Sequence, residues 1–151
     1  DKQTLEVQFK SPDVLFGLGS TELKPKFKLI LDDFFPRYLK VLDNYQEHIT
    51  EVRIEGHTST DWTGTTNPDI AYFNNMALSQ GRTRAVLQYV YDIKNIATHQ
   101  QWVKSKFAAV GYSSAHPILD KTGNEDPNRS RRVTFKVVTN AELQIRKIIQ
   151  E

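Results

Sequence analysis

Between Leu23 and Leu42 the apolar residues Phe27, Ile30, Leu31, Phe34, Tyr38 and Leu39 recur at three- and four-residue steps, with lysines and aspartates between them. That period predicts one long amphipathic helix. Such a helix buries a single stripe and needs a second layer to bury it against. Pro25 suits a first-turn position. Pro36 lies in the interior, where it removes a backbone donor and clashes with the turn before it, so a kink or break is expected near residues 32–36.

Strands supply the second layer. Leu5, Val7 and Phe9 alternate with Glu6 and Gln8, which predicts a strand near 4–9. Pro12, Gly17 and Gly19 then punctuate a loop that holds a strand fragment, Val14-Leu15-Phe16. Val52 and Ile54 mark a second strand ending at Gly56, followed by a Thr-, Ser- and Gly-rich loop from His57 to about Phe73. A second helix is expected from Asn74 or Asn75, with Leu78, Ala85, Val86, Tyr89, Val90 and Ile93 on its stripe. A helical turn near 100–104, a well-buried strand over 107–112, a polar loop over 113–130 and a last strand through Val133, Phe135 and Val137 follow. Asn140 can cap a terminal helix carrying Leu143, Ile145, Ile148 and Ile149. This order points to an α+β fold: a two-layer sandwich with a mixed β-sheet of about four strands and helices on one face. Residues 1–139 form the domain and 140–151 a C-terminal helical extension.

At 151 residues the chain suits one domain. No apolar run approaches the roughly 20 residues of a membrane span. The absence of cysteine removes disulfides, thiolate metal sites and Cys nucleophiles. A formal charge of +2 is too small to imply nucleic acid, and Arg129, Arg131 and Arg132 read most simply as a solvated or salt-bridged strand end. The histidines, His48, His57, His99 and His116, lack metal-ligand spacing. His57, Ser59 and Asp61 crowd one loop, whereas a catalytic triad is defined by geometry, so no catalytic residue is expected.

Five pieces of sequence carry a resemblance. They are Val52-Arg53-Ile54-Glu55-Gly56-His57-Thr58; Asn75 with Leu78, Ser79 and Arg82; Leu15-Phe16 with Gly19-Ser20 and Leu23; Val110-Gly111-Tyr112 with Pro117; and Arg131-Arg132-Val133. With these five pieces in the family's order along the chain, over about residues 14–138, the chain resembles the OmpA-like (OmpA/MotB C-terminal) family. The resemblance implies a periplasmic domain that grips the diaminopimelate residue of peptidoglycan stem peptides without cutting it, with no cofactor and no metal. Its parent would be membrane-anchored, at the inner or less readily the outer membrane, and a homodimer is allowed. The Leu15-Phe16 to Gly19-Ser20 piece is more similar to the flagellar stator B type than to the barrel type, and relatives of that type also serve in anti-phage defence complexes such as Zorya.

In the family an arginine takes the ligand carboxylate and an aspartate its ammonium. Arg82 matches the arginine. At 100° per residue Asn75, Leu78 and Arg82 share one face, and with a helix start near Asn75 the free N–H groups and dipole of the first turns would favour a carboxylate there as well. Ser59 stands where the family has aspartate, and Asp61 follows two residues later. Gly17 and Ser130 are further departures, replacing an aspartate and an asparagine. The expected ligand-binding set is Arg82, Asn75, Leu78, Thr58, Ser59 and Asp61, supported by His57, Arg131 and Arg132. Trp62 and Phe73 are either an aromatic wall or core. The rival reading is a protein interaction module that kept the fold and lost the ligand.

Overall fold

The computed structural model describes residues 6–10 and 12–140, together with Ile149. In chain order the elements are β1 (Glu6–Phe9), the helical turn α1 (Pro12–Leu15), α2 (Pro25–Asp43), β2 (Ile49–His57), α3 (Pro68–Tyr91), α4 (Gln100–Lys106), β3 (Phe107–Gly111), the turn α5 (Pro127–Ser130) and β4 (Arg132–Thr139). The sheet runs β1-β4-β2-β3, with β4 antiparallel to both neighbours and β2 parallel to β3. A parallel pair needs a long crossover, supplied here by α3 and α4. The expected mixed four-stranded sheet is therefore present. The expected terminal helix lies almost wholly outside the described residues.

Alternation decides what each sheet face meets. Ile54, Val133 and Phe135 join Phe27, Leu31, Phe35 and Leu39 of α2 and Val86 and Val90 of α3 in one core. Phe9 meets Phe27, Phe34 and Phe135 there with ring centroids 5.1–5.8 Å apart. The intervening residues Arg53, Glu55, Thr134 and Lys136, with Glu6 and Gln8 of β1, line a groove of about 360 Å³ on the opposite face.

Three local expectations are corrected. α2 runs as one helix through Pro36 instead of breaking. Its five buried side chains, Phe27, Leu31, Phe35, Leu39 and Leu42, contribute roughly 1.5–3 kcal/mol each, against about 3 kcal/mol for an interior proline. Val14 and Leu15 belong to the turn α1 and not to a strand fragment, and only Phe16 makes a β-bridge, to Leu23. β3 is an edge strand and half-buried, because its second edge has no neighbour in the sheet.

α3 crosses the sheet where two glycines stand side by side, Gly56 of β2 paired with Gly111 of β3. A Cβ on Gly56 would sit 2.8 Å from the Ser79 carbonyl oxygen, and one on Gly111 would sit 2.5 Å from the Gln80 backbone nitrogen. Helix backbone cannot yield locally, so the missing side chains set how closely α3 approaches. Gly111→Ala is expected to destabilise the domain by about 1–3 kcal/mol, as overpacking does. Gly17→Ala, whose Cβ would meet Ser20 at an ordinary 3.5 Å, should leave the urea midpoint nearly unchanged.

Candidate functional site

A cavity of about 530 Å³ opens between the front loop after α1, the loop after β2 and the middle of α3. Arg82, Asn75, Leu78, Thr58, Ser59 and Asp61 all line it, and Arg131 joins them from the start of β4. Trp62 and Phe16 are its aromatic walls, whereas Phe73 is 68% exposed and lies elsewhere.

α3 begins earlier than its apolar pattern indicates. The Asn67 side chain accepts hydrogen bonds from the Asp69 and Ile70 N–H groups, and Pro68 opens the helix. Asn75 and Arg82 consequently lie about two and four turns inside. Their backbone N–H groups sit within the helix interior, and the dipole falls off within the first turn, so the expected contribution of a helix N-terminus to the site is absent. The cavity's positive charge comes from side chains.

Arg82 is buried and divides its guanidinium between two tasks. Nε donates to the Ser20 carbonyl at 2.8 Å and Nη2 to the Gly17 carbonyl at 3.1 Å, while the group stacks 4.7 Å from the Phe16 ring centroid. These contacts tie α3 to the front loop. Nη1 has no partner among the described residues. Burial, and then the nearby charge of Arg131, push the Arg82 pKa down to about 10, which leaves it a cation at neutral pH. Arg131 has no side-chain hydrogen bond or ion pair among the described residues, and its Nε is sealed from solvent without a partner. Two guanidinium groups thus share one cavity with no carboxylate bonded to either.

The loop after β2 is held at every residue from Thr58 to Asp61. Thr58 N donates to the Ser113 carbonyl at 2.9 Å. Asn75 Nδ2 donates to the carbonyls of Ser59 and Asp61, both at 3.1 Å, so its amide hydrogens hold the loop. Thr60 is bonded by Glu125. Asp61 is exposed, and its carboxylate makes no bond among the described residues. The acid therefore faces a cavity whose other charges are cations.

Sequence reasoning missed Ser113 and Glu125. Ser113 is fully buried at a positive φ of 54°, accepts from Thr58 N at its carbonyl, donates its N–H to Ser79 Oγ at 3.1 Å, and donates its hydroxyl to the Tyr72 carbonyl at 2.6 Å. Nothing in a polar stretch following Gly111-Tyr112 marks it. Ser130, which replaces the family asparagine, is also fully buried and accepts from Ile118 N at 2.9 Å.

His57 and Arg132 face the opposite side of the sheet, in the groove with Glu55. His57 Nε2 lies 3.3 Å from Glu55 Oε1, and the ring stacks on Tyr112 at 5.2 Å. Neither Ser59 nor Asp61 touches it, so no triad forms. Among the described residues no group of three or more His, Cys, Asp or Glu side chains is placed to hold a metal ion. Burial pushes the His57 pKa down, despite the hydrogen bond it shares with the Glu55 carboxylate. Burial would raise the Glu55 carboxyl, but His57, Lys136 and Arg53 together hold it below its ordinary range.

A mixed four-stranded sheet with α3 laid across it and a charged cavity at its edge is the α+β arrangement of MotB-like periplasmic domains. The chain belongs to the OmpA family, whose model matches residues 15–131. It is 99% identical over all 151 residues to the Zorya protein ZorB of Escherichia coli, and it spans 64% of that relative's length. The periplasmic domain of Helicobacter pylori MotB has the same fold, with a TM-score of 0.61 and 15% identity over 95% of this chain and 83% of that one. The cell wall anchor of the T6SS from Pseudomonas aeruginosa matches with a TM-score of 0.51 and 22% identity, over 89% of this chain and 81% of that one. No helix among the described residues is long and apolar enough to cross a membrane.

The His57 and Glu55 shifts have the same sign for stability. A ring held neutral in the fold takes up a proton more readily when unfolded, so stability is lost as pH falls below the ordinary histidine value of 6.5. A carboxyl held below its ordinary value likewise gives stability that is present above 4.5 and lost as pH falls through its folded value. Urea melts should therefore show stability falling from pH 7 to pH 5.5, and His57→Gln should flatten that fall. A slope unchanged by the substitution would assign it to another group.

Proposed function

We propose that the domain binds the stem peptide of peptidoglycan without cleaving it, through the zwitterionic end of a diaminopimelate residue. The observation that carries this reading is the cavity's charge arrangement. Arg82 and Arg131 stand together without a bonded acid, and Asp61 presents a carboxylate to the same space. A ligand ending in a carboxylate and an ammonium complements that pattern, since a desolvated charge needs its partner. Arg82 Nη1 and Arg131 take the carboxylate, and Asp61 takes the ammonium in place of the aspartate that Ser59 replaces. Leu78 and Trp62 pack beside the ligand's methylene groups.

In this reading the domain works in the periplasm and holds its parent to the cell wall. The parent is an ion-driven motor or stator-type subunit of a membrane complex, anchored in the inner membrane and serving in antiviral defence. Likeness to the MotB periplasmic domain, to a protein named a cell wall anchor and to ZorB supports this. The rival, an interaction module without the ligand, draws on Ser59 alone.

Co-sedimentation with purified sacculi tests the reading. Arg82→Ala should weaken binding by roughly 10- to 150-fold, the worth of a charge-assisted hydrogen bond, and should also lower the melting temperature by releasing the front loop. Arg131→Gln separates the two effects, because it touches neither Ser20 nor Gly17 and should weaken binding while leaving the melt nearly unchanged. Retained binding by both folded variants would overturn the assignment of the site, and a parent chain that fails to co-sediment would favour the rival.

Asp61 is tested with a soluble stem tripeptide ending in meso-diaminopimelate. Asp61→Asn should bind more weakly and lose part of the salt dependence of affinity, and Ser59→Asp in that background should restore binding. Equal affinities and equal salt slopes for parent and Asp61→Asn would remove Asp61 from the site.

A further inference from the structure

We propose that Glu125, a residue outside the cavity, is a positioning residue that aims Asp61 by clamping the loop between Thr58 and Trp62. The proposal rests on the stem-peptide reading for its ligand and on hydrogen bonding for its mechanism. Glu125 reaches across 65 residues of sequence to grip Thr60 twice: Thr60 N donates to Oε1 at 2.9 Å and Thr60 Oγ1 donates to Oε2 at 2.5 Å. A carboxylate accepting both an amide and a hydroxyl from one residue fixes that residue's orientation as well as its place.

The two clamps on this loop alternate. The carbonyls of Ser59 and Asp61 accept from Asn75 on α3, while the residue between them is held by Glu125. Successive peptide groups are thus drawn toward different supports, and the loop has little freedom to rotate as a unit. Ser59 and Asp61 line the cavity on either side of the clamped Thr60. The Asp61 carboxylate has no bond among the described residues to fix its direction, so its aim is set by the backbone that Asn75 and Glu125 hold.

Glu125 can serve as a fixed point because its own segment is built tightly. It forms a β-bridge with Leu119, and the turn between them is closed by Asp120 N donating to the Asn124 carbonyl at 2.7 Å. Asp120 Oδ1 accepts from Thr122 N, Thr122 Oγ1 and Asn124 N. Asp126 N donates to the Ile118 carbonyl at 2.8 Å, and Ile118 N donates to the fully buried Ser130. The next residue along is Arg131, so the segment carrying the clamp also delivers the second guanidinium to the cavity.

The test measures the 151-residue chain and its Glu125→Ala, Glu125→Gln and Thr60→Val variants against the tripeptide L-Ala-γ-D-Glu-meso-diaminopimelate, by titration calorimetry and by amide hydrogen exchange. Glu125→Ala should bind about tenfold more weakly, a loss of the size of one charge-assisted hydrogen bond, with Thr60 N–H exchange accelerated and Thr58 N–H exchange unchanged. Glu125→Gln, which keeps an acceptor oxygen, should fall between, and it substitutes for the alanine variant should that fail to fold. Asp61→Asn should cost affinity in the parent and little in Glu125→Ala, a non-additivity that a merely structural role would not produce. Parent-like affinity of Glu125→Ala, alongside loss of binding by Arg82→Ala, overturns the proposal. If Arg82→Ala also binds like the parent, the stem-peptide reading has failed and the ligand-linked half falls with it. Unaltered Thr60 exchange in Glu125→Ala overturns the positioning half whatever the ligand.

Discussion

Everything at the cavity depends on how closely α3 lies on the sheet. Gly56 and Gly111 are paired across β2 and β3, and the Ser79–Gln80 stretch of the helix fills the space that side chains would take. The contact fixes Ser79 over the strand ends, and Ser79 in turn accepts from Ser113 N. From that fixed turn, Asn75 and Arg82 fall on the same side of the helix, one reaching the loop after β2 and the other the front loop. A methyl group at either glycine would move both residues together.

The chain spends its polar side chains on architecture near this contact. Asn75, Ser79, Thr83, Ser113 and Ser130 are all buried, and each makes hydrogen bonds that join segments distant in sequence or satisfy the helix backbone. A buried polar group costs several kcal/mol when unpaired and little when paired, so such a network tolerates few geometries. The segments it holds, among them the loop after β2 and the stretch before β4, have almost no regular structure to hold them otherwise. Arg82 and Arg131 are exceptions, since each keeps guanidinium capacity that no described residue uses.

This division explains what the sequence disclosed. The apolar periodicity of α2 and the alternation in β2 and β4 come from burial in the main core, and they marked those elements to within a few residues. The C-terminal half of α3 shows Val86 and Val90 on the same footing. Its N-terminal half buries Ala71, Asn75, Ser79 and Thr83 instead, a helical stripe with hardly any hydrophobic signal, so the start was placed some seven residues late. Asn67-Pro68-Asp69, a cap followed by a first-turn proline, was the better marker. The six residues that motif resemblance marks as the expected ligand-binding set do converge on one cavity. His57 and Arg132 were assigned to the same site, yet strand alternation sends them to the other face with Glu55. The contacts of Glu125 and Ser113 span 34 to 65 residues and carry no local pattern at all.

Arg82 holds the front loop with the same planar group that faces the cavity, which makes the two events thermodynamically reciprocal. Any anion that stiffens this guanidinium also stiffens the loop carbonyls it grips, and by the same free energy an ordered front loop raises the anion's affinity. The front loop joins the turn α1 to α2 and contributes Phe16, Gly17 and Gly19 to the cavity lining. Displacing the front loop would therefore loosen Arg82 within the cavity, and filling the cavity would hold the loop in place.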